Sequence, residues 1–205
     1  MIAVDIKKRL KAYNGQQLLQ IKKTFTTGGI TRITGPSGAG KTTLLKMLAG
    51  LAMPDSGSIK ATDLVWFDAS QNINLSPQQR HIGFVFQDYA LFPNMTVKQH
   101  LEYATDDKPW ISRLLTIGGL DAFTDHKPHH LSGGQQQRLA ILRALAVKPK
   151  LLLMDEPFSA LDLKMKSQLI KDLQGLLAEL GATTLIVSHN PQELDGLSTD
   201  ELEIG

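Results

Sequence analysis

Eight consecutive residues, Gly35-Pro36-Ser37-Gly38-Ala39-Gly40-Lys41-Thr42, constrain the fold more than any other stretch of this chain. They fit the spacing G-x-x-x-x-G-K-[ST] without a gap. Glycines at these places let the backbone curl until successive N–H groups point inward, which suits the oxygens of a phosphate. Lys41 supplies a point charge for the outer phosphates, and the Thr42 hydroxyl suits a magnesium ion. The flanks agree. Ile30-Thr31-Arg32-Ile33-Thr34 is a β-branched run that predicts a strand, and Thr43 to Ala49 predicts a helix running from Lys41 to about Leu51. The loop therefore feeds a helix N-terminus, whose partial positive charge favours an anion.

The 205 residues are enough to bury a sizeable core in one domain, or in a core with a subdomain. A net charge of +2 with no long Lys/Arg block gives no reason to expect nucleic acid as a partner. No cysteine is present, which excludes disulfides and thiolate metal sites and suits a cytosolic location. Met1 to Asp5 does not begin a secretory signal, and no apolar run approaches the roughly 20 residues that span a bilayer. Such a chain is not expected to cross a membrane alone, but it could sit on a membrane partner.

Ile2-Val4-Ile6 and part of Leu18 to Lys23 alternate apolar with polar residues, as strands of a half-exposed antiparallel sheet do. Pro54-Asp55-Ser56-Gly57 reads as a turn. Ile82 to Phe86, Leu151 to Met154 and Thr183 to Val187 read as buried strands. Each ends at residues able to do chemistry: Gln87, then Asp155-Glu156, then Ser188-His189. The Ile30 strand ends at the glycine-rich loop. In open α/β sheets ligands collect beyond the carboxyl ends of the strands, so four strand ends are expected to face one crevice. From Asp88 to Val147 no clear strand appears, and Val97–Thr105, Ile111–Ile117 and Gln135–Val147 have helical character. The expected organisation is a single domain, with an α/β nucleotide-binding core in residues 1–87 and 148–205 and a helical subdomain in 88–147.

Two acids follow the apolar run Leu151-Leu152-Leu153-Met154. Carboxylates beside a core strand are costly unless compensated, and magnesium bound with ATP is the obvious compensator. Asp155 would hold the metal directly or through water, and Glu156 would polarise an attacking water. Leu131-Ser132-Gly133-Gly134-Gln135 carries a capping-box spacing from Ser132 to Gln135 and opens a helix with Leu139, Leu142 and Ala146 on one face. It is a second helix start suited to phosphate. One phosphate loop already cradles a nucleotide, so the second suggests a nucleotide held between two copies of the chain.

Taken together, these segments resemble the nucleotide-binding subunits of ATP-binding cassette (ABC) transporters over essentially the whole chain. Gly35 to Thr42 matches Walker A, Gln87 the Q-loop, Leu131 to Gln135 the family signature, and Leu151 to Glu156 Walker B with its following glutamate. Ser159-Ala160-Leu161-Asp162 matches the D-loop, and His189 the switch histidine. The resemblance implies a P-loop NTPase (RecA-like) α/β core with an N-terminal antiparallel β subdomain and an inserted helical subdomain.

It also implies ATP and Mg²⁺ as cofactors. Gly35, Ser37, Gly38, Ala39, Gly40, Lys41, Thr42 and Thr43 belong to the phosphate site, and Thr42, Gln87 and Asp155 to the metal. Glu156 is the implied general base, and His189 the residue gripping the γ-phosphate and the attacking water. Ser132, Gly134 and Gln135 would contact the γ-phosphate bound by an opposing copy, with Asp162 beside the same nucleotide. Tyr13 is the best-placed aromatic for stacking on adenine, with a strand-edge tyrosine as the alternative. His126, His129 and His130 resemble no zinc pattern and are expected to be solvated.

Leu75-Ser76-Pro77-Gln78-Gln79-Arg80 and Phe86 to Pro93 resemble bacterial importer subunits for molybdate, sulfate, iron, polyamines or sugars, the molybdate type most of all near the N-terminus. The implied protein is an ATPase that energises an importer from the cytoplasmic face. It would close as a homodimer on ATP, bind transmembrane permease subunits and work with an extracytoplasmic solute-binding protein, with no nucleic acid involved. An exporter subunit, or a non-transport ABC ATPase, is the alternative. Many such importer subunits carry a C-terminal regulatory domain, and with the sequence running to Gly205 regulation of that kind is not expected.

Overall fold

A computed structural model describes residues 1–12, 15–62, 64–188, 194 and 197–205 of the chain. The N-terminal alternation becomes two long strands. β1 (Ile2–Ala12) and β2 (Gly15–Phe25) pair antiparallel from Ile2 opposite Phe25 to Ala12 opposite Gly15. Ile2, Val4, Ile6, Leu19, Ile21 and Phe25 face inward, while Asp5, Lys7 and Lys22 face water. This is the two-residue period expected of a sheet wetted on one side. β3 (Ile30–Thr34) follows, then the loop and α1 (Lys41–Leu48). β4 (Ser56–Ala61), β5 (Leu64–Asp68) and β6 (Ile73–Asn74) complete the antiparallel sheet in the order β2-β1-β4-β5-β6.

The short α2 (Pro77–Arg80) leads into β7 (Ile82–Val85). Three helices, α3 (Val97–Glu102), α4 (Lys108–Gly118) and α5 (Gly133–Ala146), stand between β7 and β8 (Leu151–Asp155). The chain then runs through α6 (Leu163–Leu180), β9 (Thr183–Val187) and β10 (Asp200–Glu203). The second sheet has the order β10-β3-β9-β8-β7 with every pair parallel. All residues of β8 and β9 are buried, as in parallel sheets covered on both faces.

Alternation along these strands divides the core. Ile33, Leu151, Leu153, Leu185 and Val187 join Leu44, Leu45 and Leu48 of α1 and the inner face of the antiparallel sheet. Leu152, Met154 and Ile186 join the apolar side chains of α4, α5 and α6 on the opposite face. The sequence places Leu139, Leu142 and Ala146 on one apolar face of α5. In the structure Ala140, Ile141, Ala144 and Leu145 are buried as well, because α3, α4 and β7 all contact this helix.

α1 stops at Leu48, three residues short of the sequence expectation, because Gly50 turns left-handed (φ 76°) and the Leu51 N–H bonds back to the Lys46 carbonyl at 2.8 Å, and Arg80 braces the same helix end. This guanidinium is buried, and its bonds among the described residues go to carbonyl oxygens and an amide, not to an acid. Its Nη1 donates to the carbonyls of Met47 and Leu48, both at 2.8 Å, and its Nε donates to Leu75 at 3.0 Å. The charge thus sits at the end of the helix where the dipole is negative. Burial pushes the Arg80 pKa down to about 10, so it stays charged at neutral pH. Arg80→Met keeps the stem and removes the donors to these carbonyls. It is expected to lower stability by about 2–3 kcal/mol, read as a lower urea midpoint at an unchanged m-value.

Candidate active site

Parallel pairing brings four strand ends to one edge. Ile33 lies level with Val187, Val187 with Asp155, and Val85 with Met154. One or two residues further on, Gly35, Ser188, Glu156 and Gln87 leave neighbouring strands spaced about 5 Å apart. A helix N-terminus and two carboxylates therefore share one edge of the sheet.

The loop between β3 and α1 is built for an anion. Gly40 is the N-cap of α1, no side chain caps that helix, and its first turn holds no acid. The earliest helical bond runs from the Leu44 N–H to the Gly40 carbonyl at 2.8 Å. Pro36, Ser37 and Gly38 are exposed, whereas Ala39 is buried and its N–H donates to the Pro36 carbonyl. Lys41 is almost wholly buried. Its Nζ donates to the carbonyls of Gly35 (2.7 Å) and Pro36 (2.9 Å), so the cation braces the loop from inside. Thr42 and Thr43 are half-buried at the helix start. Behind the loop Gly35 lies against the backbone of Ile204, and Leu10 and Leu19 of the antiparallel sheet lie over Gly40.

On the neighbouring strands the two acids differ. Asp155 belongs to β8 itself, is 2% exposed, and its Oδ1 has no hydrogen-bond partner. A buried carboxylate oxygen left without a donor is unfavourable unless a cation or water completes it. This donor set fits a magnesium ion: the orphaned Asp155 oxygen, the Thr42 hydroxyl and the exposed amide of Gln87. Glu156 has left the strand with φ 51°, a left-handed conformation uncommon for a non-glycine residue. Its N–H donates to the Val187 carbonyl at 3.0 Å, and its carbonyl accepts from Gln137 Nε2 at 3.1 Å and from the Ser159 hydroxyl at 3.2 Å.

The second helix start forms as its sequence implies. Ser132 caps α5. Its hydroxyl accepts from the Gln135 N–H (3.3 Å), while Gln135 Oε1 accepts from the Ser132 N–H (2.8 Å). Ser132 and Gly133 are exposed. The start of α5 rests on the segment that follows Glu156, with Gly134 close to Ala160 and Leu161. Asp162 closes that segment as the N-cap of α6, its Oδ1 accepting from the Met165 N–H at 3.0 Å. Tyr13 and His189 lie outside the described residues. His126, His129 and His130 are exposed, with the His129 and His130 rings 4.0 Å apart. Among the described residues no group of three or more His, Asp or Glu is arranged to hold a metal.

Gln137 is not singled out by any of the sequence motifs. It is a buried amide two residues beyond the capping box, and in the sequence it does not stand out from its polar neighbours Gln135, Gln136 and Arg138. The place of Ile204 behind the loop and the bonds of Arg80 to the far end of α1 are missed as well, because these partners lie far apart in the sequence.

Comparison with known proteins agrees with this geometry. The chain matches the ABC transporter family over residues 18–159. It is 41% identical over 197 residues to the probable sulfate/thiosulfate import ATP-binding protein CysA of Chlorella vulgaris, covering 92% of this chain and 80% of that protein. It is also 41% identical over 206 residues to the molybdenum import ATP-binding protein ModC of Photorhabdus laumondii, covering 100% of this chain and 57% of the relative. The Fe(3+) ions import ATP-binding protein FbpC 2 of Haemophilus influenzae is 39% identical over 199 residues, with coverages of 93% and 55%. The chain thus spans little more than half the length of the last two. Among solved structures, the dimeric structure of MJ0796, a bacterial ABC transporter cassette, superposes with a TM-score of 0.79 at 29% identity, covering 100% of this chain and 94% of that one. A dimeric post-hydrolysis state of the same cassette, bound to ADP and Pi, gives 0.78 with coverages of 94% and 90%. By its motifs, its fold and these matches, the chain belongs to the ABC transporter family.

Proposed function

We propose that this chain binds and hydrolyses ATP to drive a transmembrane importer. One observation carries the reading: the phosphate loop and the Asp155-Glu156 pair leave strands of one parallel sheet at the same edge, with a buried Asp155 oxygen that lacks a donor. Gly35 to Thr43 then take the phosphates, with Lys41 turning from its loop carbonyls to the outer oxygens. Thr42, Gln87 and Asp155 hold Mg²⁺, which when bound offsets phosphate charge. Glu156 takes the proton of the attacking water, and His189 holds that water and the γ-phosphate. Tyr13 receives the adenine. Residues 88–147 act as a helical subdomain inserted in a core formed by 1–87 and 148–205.

Ser132, Gly134, Gln135 and Asp162 complete the site of a second copy, so two chains close head to tail on two nucleotides. The dimeric cassettes that superpose on this chain support that arrangement. Import is favoured over export by the importer names of the relatives. Among the described residues no helix is long and apolar enough to cross a membrane. In this reading the work is delivered to permease subunits from the cytoplasmic side, with a solute-binding protein on the other side. The test is equilibrium binding of a fluorescent ATP analogue together with phosphate release in Mg²⁺ and in EDTA. Binding with Mg²⁺-dependent release is expected, and a folded chain that neither binds nor releases overturns the reading.

The permease contact is expected on the segment after Gln87. Phe92 and Tyr103 are 38% and 69% exposed and meet edge to face at 5.3 Å. Beneath them His100 is buried. Its Nδ1–H donates to the Thr96 carbonyl (2.7 Å) and its Nε2 accepts from the Phe92 N–H (2.9 Å), a pattern only the neutral ring satisfies. Burial pushes its pKa below the ordinary histidine value. The Thr96 carbonyl opposes that shift, and the Arg143 charge adds to it. The unfolded chain therefore takes up this proton first as pH falls. Stability from His100 is complete above about pH 6.5 and is lost as pH drops through the lower folded value. The melting temperature is expected to fall between pH 7.5 and 5.5, and to fall less in His100→Gln.

A further inference from the structure

We propose that Gln137 is a positioning residue for hydrolysis, one that fixes the backbone turn carrying Glu156 onto helix α5. The proposal rests on the ATPase reading above. Gln137 is 1% exposed and lies on a helix whose other inward residues are apolar. Its amide makes three hydrogen bonds. Nε2 donates to the Glu156 carbonyl (3.1 Å) and to the Ser159 hydroxyl (3.2 Å), while Oε1 accepts from the Ala160 N–H (3.0 Å). The Ser159 hydroxyl in turn donates to the same Glu156 carbonyl at 3.2 Å. Three anchor points of the segment after β8 are thus pinned by one side chain.

Glu156 needs such a clamp. Its left-handed φ of 51° is disfavoured by about 1–2 kcal/mol for a residue with a Cβ. A strained conformation at a reacting group persists only where the surroundings over-determine it. From the N–H side, Val187 of β9 holds it. On the carbonyl side the holding group is Gln137, carried by the helix that Ser132 caps and on which Gly134 touches Ala160 and Leu161. The start of α5 and the Glu156 turn therefore move as one body. A methionine would fill the same volume without a donor or acceptor, removing the Gln137 bonds to the Glu156 carbonyl and the Ala160 N–H and leaving Ser159 as the remaining hold on that carbonyl.

The experiment compares Gln137→Met, Ser159→Ala and Glu156→Gln in steady-state ATP hydrolysis and in equilibrium ATP binding. Gln137→Met is expected to lower kcat about 10- to 100-fold, the scale of a small misplacement of a catalytic group, with KM and ATP affinity within about twofold of wild type. In the Glu156→Gln background the same substitution is expected to be silent, since no base remains to be misplaced. A merely structural defect would lower the rate by the same factor in both backgrounds. Should Gln137→Met not fold, Ser159→Ala removes one arm of the clamp at an exposed site and is expected to lower kcat about threefold or more at unchanged KM. The wild type and Glu156→Gln separate the two premises. If wild type hydrolyses no ATP, or Glu156→Gln is as fast as wild type, the ATPase assignment of Glu156 falls and the clamp with it. If those controls behave and the folded Gln137→Met, or in its place Ser159→Ala, keeps wild-type kcat, the positioning role is overturned on its own. Equal factors in both backgrounds overturn it too.

Discussion

Glu156→Gln is expected to slow ATP hydrolysis by about 10²- to 10⁴-fold, about 3–5 kcal/mol of barrier, while ATP affinity stays within about twofold of wild type. The substitution changes one side-chain oxygen into an amide nitrogen at nearly constant size. The backbone that places the side chain does not depend on the carboxylate. It is held by the Val187 carbonyl, the Gln137 amide and the Ser159 hydroxyl, all acting on main-chain atoms of residue 156. Geometry therefore survives while the proton acceptor is lost. A second consequence follows from the exposed, capped start of α5. If two copies close on bound nucleotide, a variant that binds ATP and cannot consume it accumulates as the closed dimer, whereas the wild type passes through that state briefly. Phosphate release gives the first number. Size-exclusion chromatography with light scattering, with ATP and Mg²⁺ in the running buffer, reads the second. Hydrolysis at the wild-type rate would remove Glu156 from the role of base. An inactive variant that stays monomeric at high protein concentration would place dimer closure under the control of the permease.

Much of this site is legible in the sequence because its pieces are local. β3 and β9 coincide with the runs Ile30–Thr34 and Thr183–Val187, since largely buried parallel strands leave a dense β-branched and apolar signal, broken in β3 only by Arg32. The capping box of Ser132 and Gln135 is equally legible, its partners being three residues apart. The ends of elements are less so. β8 runs on through Asp155, and β7 stops at Val85, one residue short of the expected end. β10 is Asp-Glu-Leu-Glu at the sheet edge and carries almost no apolar signal, yet the residue after it backs the phosphate loop. α6, the longest helix, is absent from the expected elements although Leu169, Leu173, Leu176 and Leu177 repeat at helical spacing and are buried. Gln137 and Arg80 are out of reach for a different reason. Gln137 bonds residue 156, nineteen positions away, and Arg80 bonds residue 47, thirty-three positions away. No local pattern encodes such a bond, and Gln137 stands between Gln136 and Arg138, so its inward direction and its partner appear only in three dimensions.

The glycines of the phosphate loop should separate folding from binding, and substitution of Gly35 should have the largest effect on stability. A Cβ on Gly35 would come within 2.0 Å of the Ile204 carbonyl oxygen, on a backbone with φ +139°. Neither side can yield cheaply. Ile204 is itself tied to β3, its N–H donating to the Thr34 carbonyl at 2.9 Å just beyond the β10–β3 pairing. Relieving the clash requires peeling the Ile204 segment from the sheet or distorting the loop. Gly35→Ala is therefore expected to cost more than about 4 kcal/mol, a large share of the roughly 5–15 kcal/mol that typically holds a domain together. Gly38 has φ +82° and nothing within 4 Å of an added Cβ. Its alanine variant bears only the left-handed backbone penalty, about 1–2 kcal/mol, and should fold. The open space over Gly38 is where a phosphate would approach the loop, so the same methyl group is expected to weaken ATP binding about tenfold or more. Urea unfolding with and without ATP distinguishes the two. Saturating ATP at about 100 times Kd should stabilise the wild type by about 2.7 kcal/mol. Gly38→Ala should show near-normal unfolding without nucleotide and little of that gain. Gly35→Ala should be strongly destabilised even without ATP. A Gly38 variant that keeps the full ATP-dependent shift would mean that phosphate does not approach this face. A Gly35 variant as stable as wild type would mean that the Ile204 backbone yields without loss, and that the glycine serves the nucleotide instead of the fold.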